Sequence, residues 1–370
     1  MINILITSVG SLVGQNILDV LESRRNNVRI IGMNSIAENQ RNFRCDTVYL
    51  APPLSEKDAF NEEFGKIIES EKPDLILAGR DIDSVFLADY KIEHPDIGPA
   101  IPCGHPRLAR MMLDKYESYV FAKNNSLPFA ETMIYRNSTD KQNLEDFISR
   151  HGFPLVIKPR EGFGSLRVYF ITDMSMLNSF IEHENTVLLQ ECLSPDPELG
   201  KYYSEYKKGL PLFFQVPIRD HVASQSVISP AGEVLGIITT RHDMSGGKAE
   251  SVYIFKNKEV DDLIKKYVET LAGEGWMGFI NIQCRPDRNG VWKVYEMNPR
   301  MAGASSARLL LGFDELGMLI RSIRPELSFP DQSRPVRNDG FVLKYLTDYY
   351  VEDADVTKLT TNRSWNKDKT

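Results

Sequence analysis

Gly278-Phe279-Ile280-Asn281-Ile282-Gln283-Cys284-Arg285 and Val291-Trp292-Lys293-Val294-Tyr295-Glu296-Met297-Asn298-Pro299-Arg300 flank a short polar turn. Both arms alternate apolar and polar residues, the period of a half-buried strand. Asn289-Gly290 between them is a strong hairpin signal, because both residues tolerate the positive φ of a two-residue turn. With that turn, Gln283 faces Glu296 and Asn281 faces Asn298. A carboxylate and carboxamides then share one sheet face, offering the hard oxygen donors that Mg²⁺ prefers. The competing reading is a surface hairpin with a solvated polar face, and Pro286 warns of a register shift by a bulge.

Working outward, 370 residues imply two or three domains and a large core. The composition, 42% hydrophobic and 26% charged, is that of an ordinary globular protein. A net charge of −7 provides no overall basic field for nucleic acid or anionic membrane. Cys45, Cys103, Cys192 and Cys284 lie far apart, which argues against a zinc site or disulfide framework and suits a reducing cytoplasm. The N-terminus enters a strand directly and no apolar run approaches ~20 residues, so neither export nor membrane spanning is expected.

The first third alternates strands and helices. Strand runs lie at 2–7, 29–34, 47–50 and 75–80, with a helical spacing from Gln15 to Arg24. Such alternation implies βαβ units and a Rossmann-like parallel sheet ending near residue 110. Gly10 and Gly14 match only part of a dinucleotide fingerprint, and Asn34 stands where an acidic residue would close the second strand. A structural glycine turn is favoured over an NAD(P) site.

The middle third reads differently. Helices are expected at 114–123 and about 142–150, then a strand Phe153–Lys158, a loop from Pro159 to Ser165 and a strand Leu166–Ile171. Lys158 and Arg160 accompany glycines whose backbone can close over phosphate oxygens. A flexible hairpin accounts for the same residues, and this is not a Walker A loop. About 30 residues beyond Lys158, strand Val187–Gln190 runs into Glu191-Cys192-Leu193, whose free backbone groups could meet a base edge. A polar insertion at 194–208 follows, then strands near 212–216, 224–228 and 234–238.

This order, with Glu296-Met297-Asn298-Pro299-Arg300 and the upstream Gln283, resembles the ATP-grasp superfamily. The local similarity is to a single synthetase unit of the carbamoyl-phosphate synthase large chain, and it covers about residues 1–325. The fold it implies is α/β and α+β: a Rossmann-like parallel sheet (1–110), then an ATP-grasp domain (111–325) with a small lid subdomain (about 120–190) and a larger antiparallel sheet. The resemblance implies ATP with one or two Mg²⁺ ions, Mn²⁺ being a substitute, bound by Gln283, Glu296 and Asn298. It implies that Lys115 and Lys158 reach phosphates, that Gly162, Phe163, Gly164 and Ser165 form the lid, and that Gln190, Glu191 and Leu193 form an adenine hinge. Arg300 would stabilise the transferred phosphate.

The reaction implied is activation of a carboxylate as an acyl phosphate for attack by an amine or ammonia. Partners would be small molecules, not nucleic acid or membrane, with a homodimer as one arrangement. Alternatives are phosphorylation of bicarbonate and a non-catalytic nucleotide-binding protein. Three departures stand out. Arg167 occupies a position where lids often carry glycine, the 194–208 insertion leaves only Glu198 as a weak ribose contact, and there is one synthetase unit with no glutaminase segment. No Met-Lys-Met biotinylation site is present.

Substrate residues are less sharply marked. Thr239 to Glu250 reads as a polar loop whose Arg241 and Lys248 could hold an acidic substrate, or as a solvated hairpin connection. Ser305, Ser306 and Arg308 could bind an anion at a helix start, or serve as ordinary caps. His221 and His242 could act as bases but are more often structural. Asp81 and Asp83 could line a cleft or cap the next helix. A strand returning to the core is expected within 326–352, and a loose polar tail at 353–370.

Overall fold

The computed structural model describes every residue except 137–139, 163, 165, 185, 195–198, 207–220, 246 and 368–370, and leaves out the side chains of 199–201 and 206. The chain opens with β1 (Ile2–Ile6), α1 (Leu12–Leu21), β2 (Val28–Asn34), β3 (Thr47–Leu50), α2 (Lys57–Glu71), β4 (Leu75–Leu77) and α3 (Asp81–Glu93). β1 pairs in parallel with β2 and β4, and β2 in parallel with β3. Ile4, Leu5 and Ile6 are wholly buried, as a parallel strand covered on both faces requires.

The glycine turn after β1 is structural. A Cβ at Gly14 would lie 2.2 Å from the Val9 carbonyl oxygen, so glycine is what lets α1 pack this close to the turn. The Gly10 carbonyl is held by Arg41 Nη1 at 3.0 Å and Asn39 Nδ2 at 3.1 Å.

α4 (Pro106–Leu113) and α5 (Lys115–Asn124) lead to a four-stranded antiparallel lid sheet, with β5 (Thr132–Arg136), α6 (Lys141–His151), β6 (Leu155–Lys158), β7 (Tyr169–Ile171), α7 (Met174–His183) and β8 (Thr186–Glu191). Its order is β5-β8-β6-β7. It has its own core, built around Leu144, Phe147, Leu155, Ile157, Leu177 and Leu189. The expected strand from Leu166 shortens to Tyr169–Ile171.

After α8 (Leu199–Tyr206), an antiparallel central sheet forms from β9 (His221–Ile228), β10 (Val234–Ser245), β11 (Lys248–Ile254), β12 (Gly278–Pro286), β13 (Trp292–Asn298) and β14 (Phe341–Leu343). α9 (Lys258–Gly273) packs on one face, and α10 (Ser305–Leu310) and α11 (Glu315–Ile323) follow the hairpin. The strand order is β13-β12-β9-β10-β11-β14. The expected strand near 212–216 and Glu198 lie outside the described residues.

Two expectations are corrected. Thr239–Glu250 is not a loop: Thr240 to Ser245 of β10 pairs with Lys248 to Ile254 of β11, a hairpin tightened by a register shift after Asp243. The polar tail is also ordered. α12 (Asp353–Asn362) and β15 (Ser364–Asn366) return to the first sheet, where β15 pairs antiparallel with β3. The reason is a sparse but well-spaced apolar set. Leu359 is fully buried, and Trp365 meets the Phe43 ring edge-on at 5.3 Å while its indole N–H donates to Asp355 Oδ1 at 2.9 Å. No described helix is long and apolar enough to cross a membrane.

Candidate active site

The β12–β13 hairpin carries the site, and its register is as the alternation implies: Gln283 pairs with Glu296 and Asn281 with Asn298. The route to that register differs from expectation. Asp287 N–H donates to the Val291 carbonyl at 2.8 Å and Gly290 N–H to the Asp287 carbonyl at 3.0 Å. With Gly290 at φ 83°, the loop holds three residues rather than two. A bulge between Gln283 and Cys284 then inserts Tyr295 as an extra residue on β13. The two offsets cancel, and the polar pairs fall into place.

The bulge does more than restore register. Alternation from Glu296 would turn Tyr295 to the opposite face, yet its hydroxyl donates to Gln283 Oε1 at 2.8 Å and lies 3.1 Å from His221 Nδ1. Its carbonyl accepts from the Lys158 ammonium at 3.1 Å, so the bulge links the hairpin to the lid sheet. Sequence reasoning missed Tyr295, because a one-residue bulge is invisible to a period-two pattern.

A cavity of about 1110 Å³ separates the lid sheet from this hairpin. Lys115, Lys158 and Gly162 line it on one side, Gln283, Arg285 and Glu296 on the other, and Glu191-Cys192-Leu193 contribute as well. Lys158, at the end of β6, donates to Gln190 Oε1 at 2.8 Å, and Gln190 Nε2 donates in turn to Thr132 Oγ1 at 2.9 Å. Burial pulls the Lys158 ammonium down to about 7, opposed by the Glu296 carboxylate and reinforced by Lys115. Lys115 begins α5 behind its cap Asp114 and donates to the Gly162 carbonyl at 3.3 Å. Phe163 and Ser165 lie outside the described residues; Gly164 lines the cavity. Arg160 is committed elsewhere, to Asp114 and Glu117.

The hinge residues divide their roles. Glu191 spends its carboxylate on Lys293 Nζ at 2.8 Å and Glu131 N–H at 2.7 Å. Its backbone N–H is engaged as well, donating to the Glu131 carbonyl at 2.9 Å. Arg285, a further residue the sequence reading did not single out, reaches the cavity with a buried Nε that has no hydrogen-bond partner. Its guanidinium sits over the Tyr295 ring at 5.3 Å. His221 lines the same cavity, and burial, then Arg285 and Arg308, push it down to about 3, so it is neutral at physiological pH.

Beyond the cavity, toward the first sheet, Arg300 Nη2 donates to Asp81 Oδ2 at 2.8 Å, and its own Nε is buried without a partner. Asp81 and Glu296 set the orientation of the Asn298 amide: with its nitrogen turned to these acceptors, Nδ2 donates to Asp81 Oδ1 at 2.9 Å and Glu296 Oε1 at 3.2 Å. Asp83, by contrast, is buried beneath Thr7 and Arg80.

The structure does not bring the remaining candidates to the cavity. Arg241 is exposed and lies over the Tyr253 ring, and Lys248 is exposed at the hairpin tip. The Ser305 hydroxyl accepts from Ala302 N–H, and Ser306 bonds Asn16 of α1. Arg308 is fully buried, within hydrogen-bond reach of Thr240, Gln225 and the Ala223 carbonyl. His242 is buried against Thr240.

The donor set fits a hard divalent cation. One carboxylate and two carboxamides lie together, and no group of three or more His, Cys, Asp or Glu suited to a metal occurs among the described residues. Lys115, Lys158 and Arg285, whose buried Nε has no partner, suit a polyanion in the same space.

No family model matches the chain. A D-alanine–D-alanine ligase from Mannheimia succiniciproducens is 26% identical over 212 residues, covering 54% of this chain and 61% of that protein. The chain thus spans less than two thirds of that relative's length. Among solved structures, the Thermotoga maritima N5-carboxyaminoimidazole ribonucleotide synthetase superposes with a TM-score of 0.59 at 19% identity, covering 90% of this chain and 78% of the other. The biotin carboxylase domain of Hydrogenobacter thermophilus 2-oxoglutarate carboxylase, solved with MgADP and bicarbonate, gives 0.64 at 14% identity, covering 92% and 73%. These likenesses show that the chain shares the overall fold of these solved structures.

Proposed function

We propose that this chain is an ATP- and Mg²⁺-dependent ligase that activates a small carboxylate as an acyl phosphate for attack by an amine or ammonia. The observation that carries the reading is the convergence of Lys115, Lys158, Gln283 and Glu296 on one cavity. A volume near 1110 Å³ is ample for a nucleotide. The relative's printed activity, ligation of two D-alanines, is of the same reaction class.

In this reading Lys115 and Lys158 hold phosphate oxygens, the glycine loop covers them, and the backbone at 191–193 meets the base. Gln283, Glu296 and Asn298 would hold Mg²⁺, which supplies charge neutralisation on the phosphates. Arg300 steadies the phosphoryl group as it transfers. A substrate carboxylate oxygen attacks the γ-phosphorus, the bond to the β-phosphate oxygen breaks, and ADP leaves. An amine nitrogen then attacks the acyl carbon, the bond from that carbon to the phosphate oxygen breaks, and inorganic phosphate leaves. The chain divides, on this account, near residues 110 and 325, with the lid within about 120–190. Four free, buried cysteines support residence in a reducing cytoplasm.

The test is a phosphate-release screen over carboxylates, bicarbonate included, paired with amino acids and ammonia. Release should require both partners, and Glu296→Gln should lower it at least ~100-fold. Wild-type turnover in that variant would sink the metal assignment, while ATP binding with no release from any pair would favour a non-catalytic nucleotide-binding protein.

A further inference from the structure

Asp81 opens α3 beside the first sheet, 219 residues before Arg300, which it touches, and nothing in the reaction above uses it. Its two oxygens divide between two site residues: Oδ1 accepts from Asn298 Nδ2 at 2.9 Å and Oδ2 from Arg300 Nη2 at 2.8 Å. Asn298 Nδ2 also donates to Glu296 Oε1 at 3.2 Å. An amide nitrogen has two hydrogens, and both are now engaged. That leaves the carbonyl oxygen as the end of the amide able to meet a hard cation.

We propose that Asp81 is a positioning residue that fixes the Asn298 amide with its nitrogen turned to Asp81 and Glu296 and its oxygen left for the metal, while holding Arg300 in place. The proposal rests on the ligase reading for the identity of the bound group. A carboxyamide has no intrinsic preference between its two ends, so its orientation is set by neighbours. Asp81 is acceptor-only and therefore admits only nitrogen on its side. A second tie from the same helix, Ser84 Oγ donating to the Pro299 carbonyl at 2.9 Å, pins the strand end one turn along α3. The first sheet thereby orders the metal face of a hairpin to which it contributes no strand.

An isosteric swap separates orientation from packing. In Asp81→Asn, one end of the new amide can still accept from Arg300. The other end presents N–H groups to Asn298 Nδ2, which favours reversal of the Asn298 amide and puts N–H groups toward the metal. Second-shell partners of this kind typically change metal affinity 10–100-fold.

The experiment is calorimetric titration of Mn²⁺ into the full chain saturated with ADP, for wild type, Asp81→Asn, Asn298→Ala and the double variant. Asp81→Asn should weaken Mn²⁺ binding at least 10-fold while leaving metal-free ADP affinity within 2-fold. In the Asn298→Ala background the same change should have no further effect, which a purely structural role would not produce. If Asp81→Asn is poorly folded, Asp81→Ala read in the same two backgrounds gives the same comparison. Wild-type Mn²⁺ affinity in Asp81→Asn, or an undiminished effect in the Asn298→Ala background, overturns the assignment of Asp81 alone. Absence of any ADP-dependent Mn²⁺ binding in the wild type overturns the ligase reading with it.

Discussion

Lys158 was legible as a candidate phosphate contact from its strand and the glycine loop after it, but its protonation was not. That depends on partners far away in sequence: Gln190, the bulged Tyr295 carbonyl, Lys115 and Glu296. Its folded value of about 7 lies below the 10.5 of an exposed lysine, so between those values the unfolded chain binds more protons than the native one. Stability therefore falls as pH drops from 10.5 toward 7, and the penalty is constant below that. Lys158→Met should accordingly flatten the pH dependence of stability between pH 7 and 10.5 in urea unfolding, even as nucleotide binding is lost. A polyphosphate favours the charged lysine, so binding at pH 8 should draw in close to one proton, whereas binding at pH 6 should draw in almost none. Buffer-independent binding enthalpies at both pH values would count against this. Arg285 illustrates the opposite case, a site residue with no sequence signal beyond its place two residues after Gln283.

At the scale of elements, the hairpin shows how a correct register can be reached from an inexact turn. Asn289-Gly290 marked the reversal, but Asp287 caps it through N–H groups of Asn289 and Val291, and this favours the longer loop. Alternation alone could not reveal that the extra turn residue is matched by an extra residue at 295. Gly290 sits at φ 83° with open space around it, so Gly290→Ala should cost about 1 kcal/mol through backbone strain alone. Chemical denaturation would show that loss, with Mg²⁺ and nucleotide affinity unchanged. The C-terminal segment was misread for a related reason: three or four apolar residues among many polar ones look like a tail until a sheet edge is available to receive them. Trp365→Ala should destabilise by roughly 3 kcal/mol in the same assay, because it removes a ring packed on Phe43 at the sheet edge. A change below ~0.5 kcal/mol would mean that β15 does not support the first sheet.

Across the whole molecule, the first sheet and the central sheet share their hydrophobic cores. One cluster joins Leu5, Ile31 and Phe64 to Val222, Ile282 and Val294, and another joins Ile4, Ile17 and Leu21 to Val227, Phe279 and Leu319. The lid keeps a core apart, so the two walls of the cavity are built on separately packed units. No sequence pattern announced the ion pair that crosses the shared core. Arg24, beside α1, and Asp314, before α11, meet at 2.5 Å with both side chains fully buried. Asp314→Ala should cost about 3–5 kcal/mol by stranding the guanidinium, whereas replacing both partners with apolar residues should recover part of that loss, the N–H groups of Gly317 and Gln332 losing their acceptor in both. Equal losses for the single and double variants in equilibrium unfolding would contradict this.

The central claim is that the hairpin and the lid lysines jointly hold a metal–nucleotide complex. A crystal structure with Mn²⁺ and a non-hydrolysable ATP analogue tests it most directly. The account predicts an anomalous peak bonded to Glu296, with phosphates between that metal and Lys158. A nucleotide seated instead at the Gly10 turn of the first sheet, or a metal away from Gln283, Glu296 and Asn298, would contradict it.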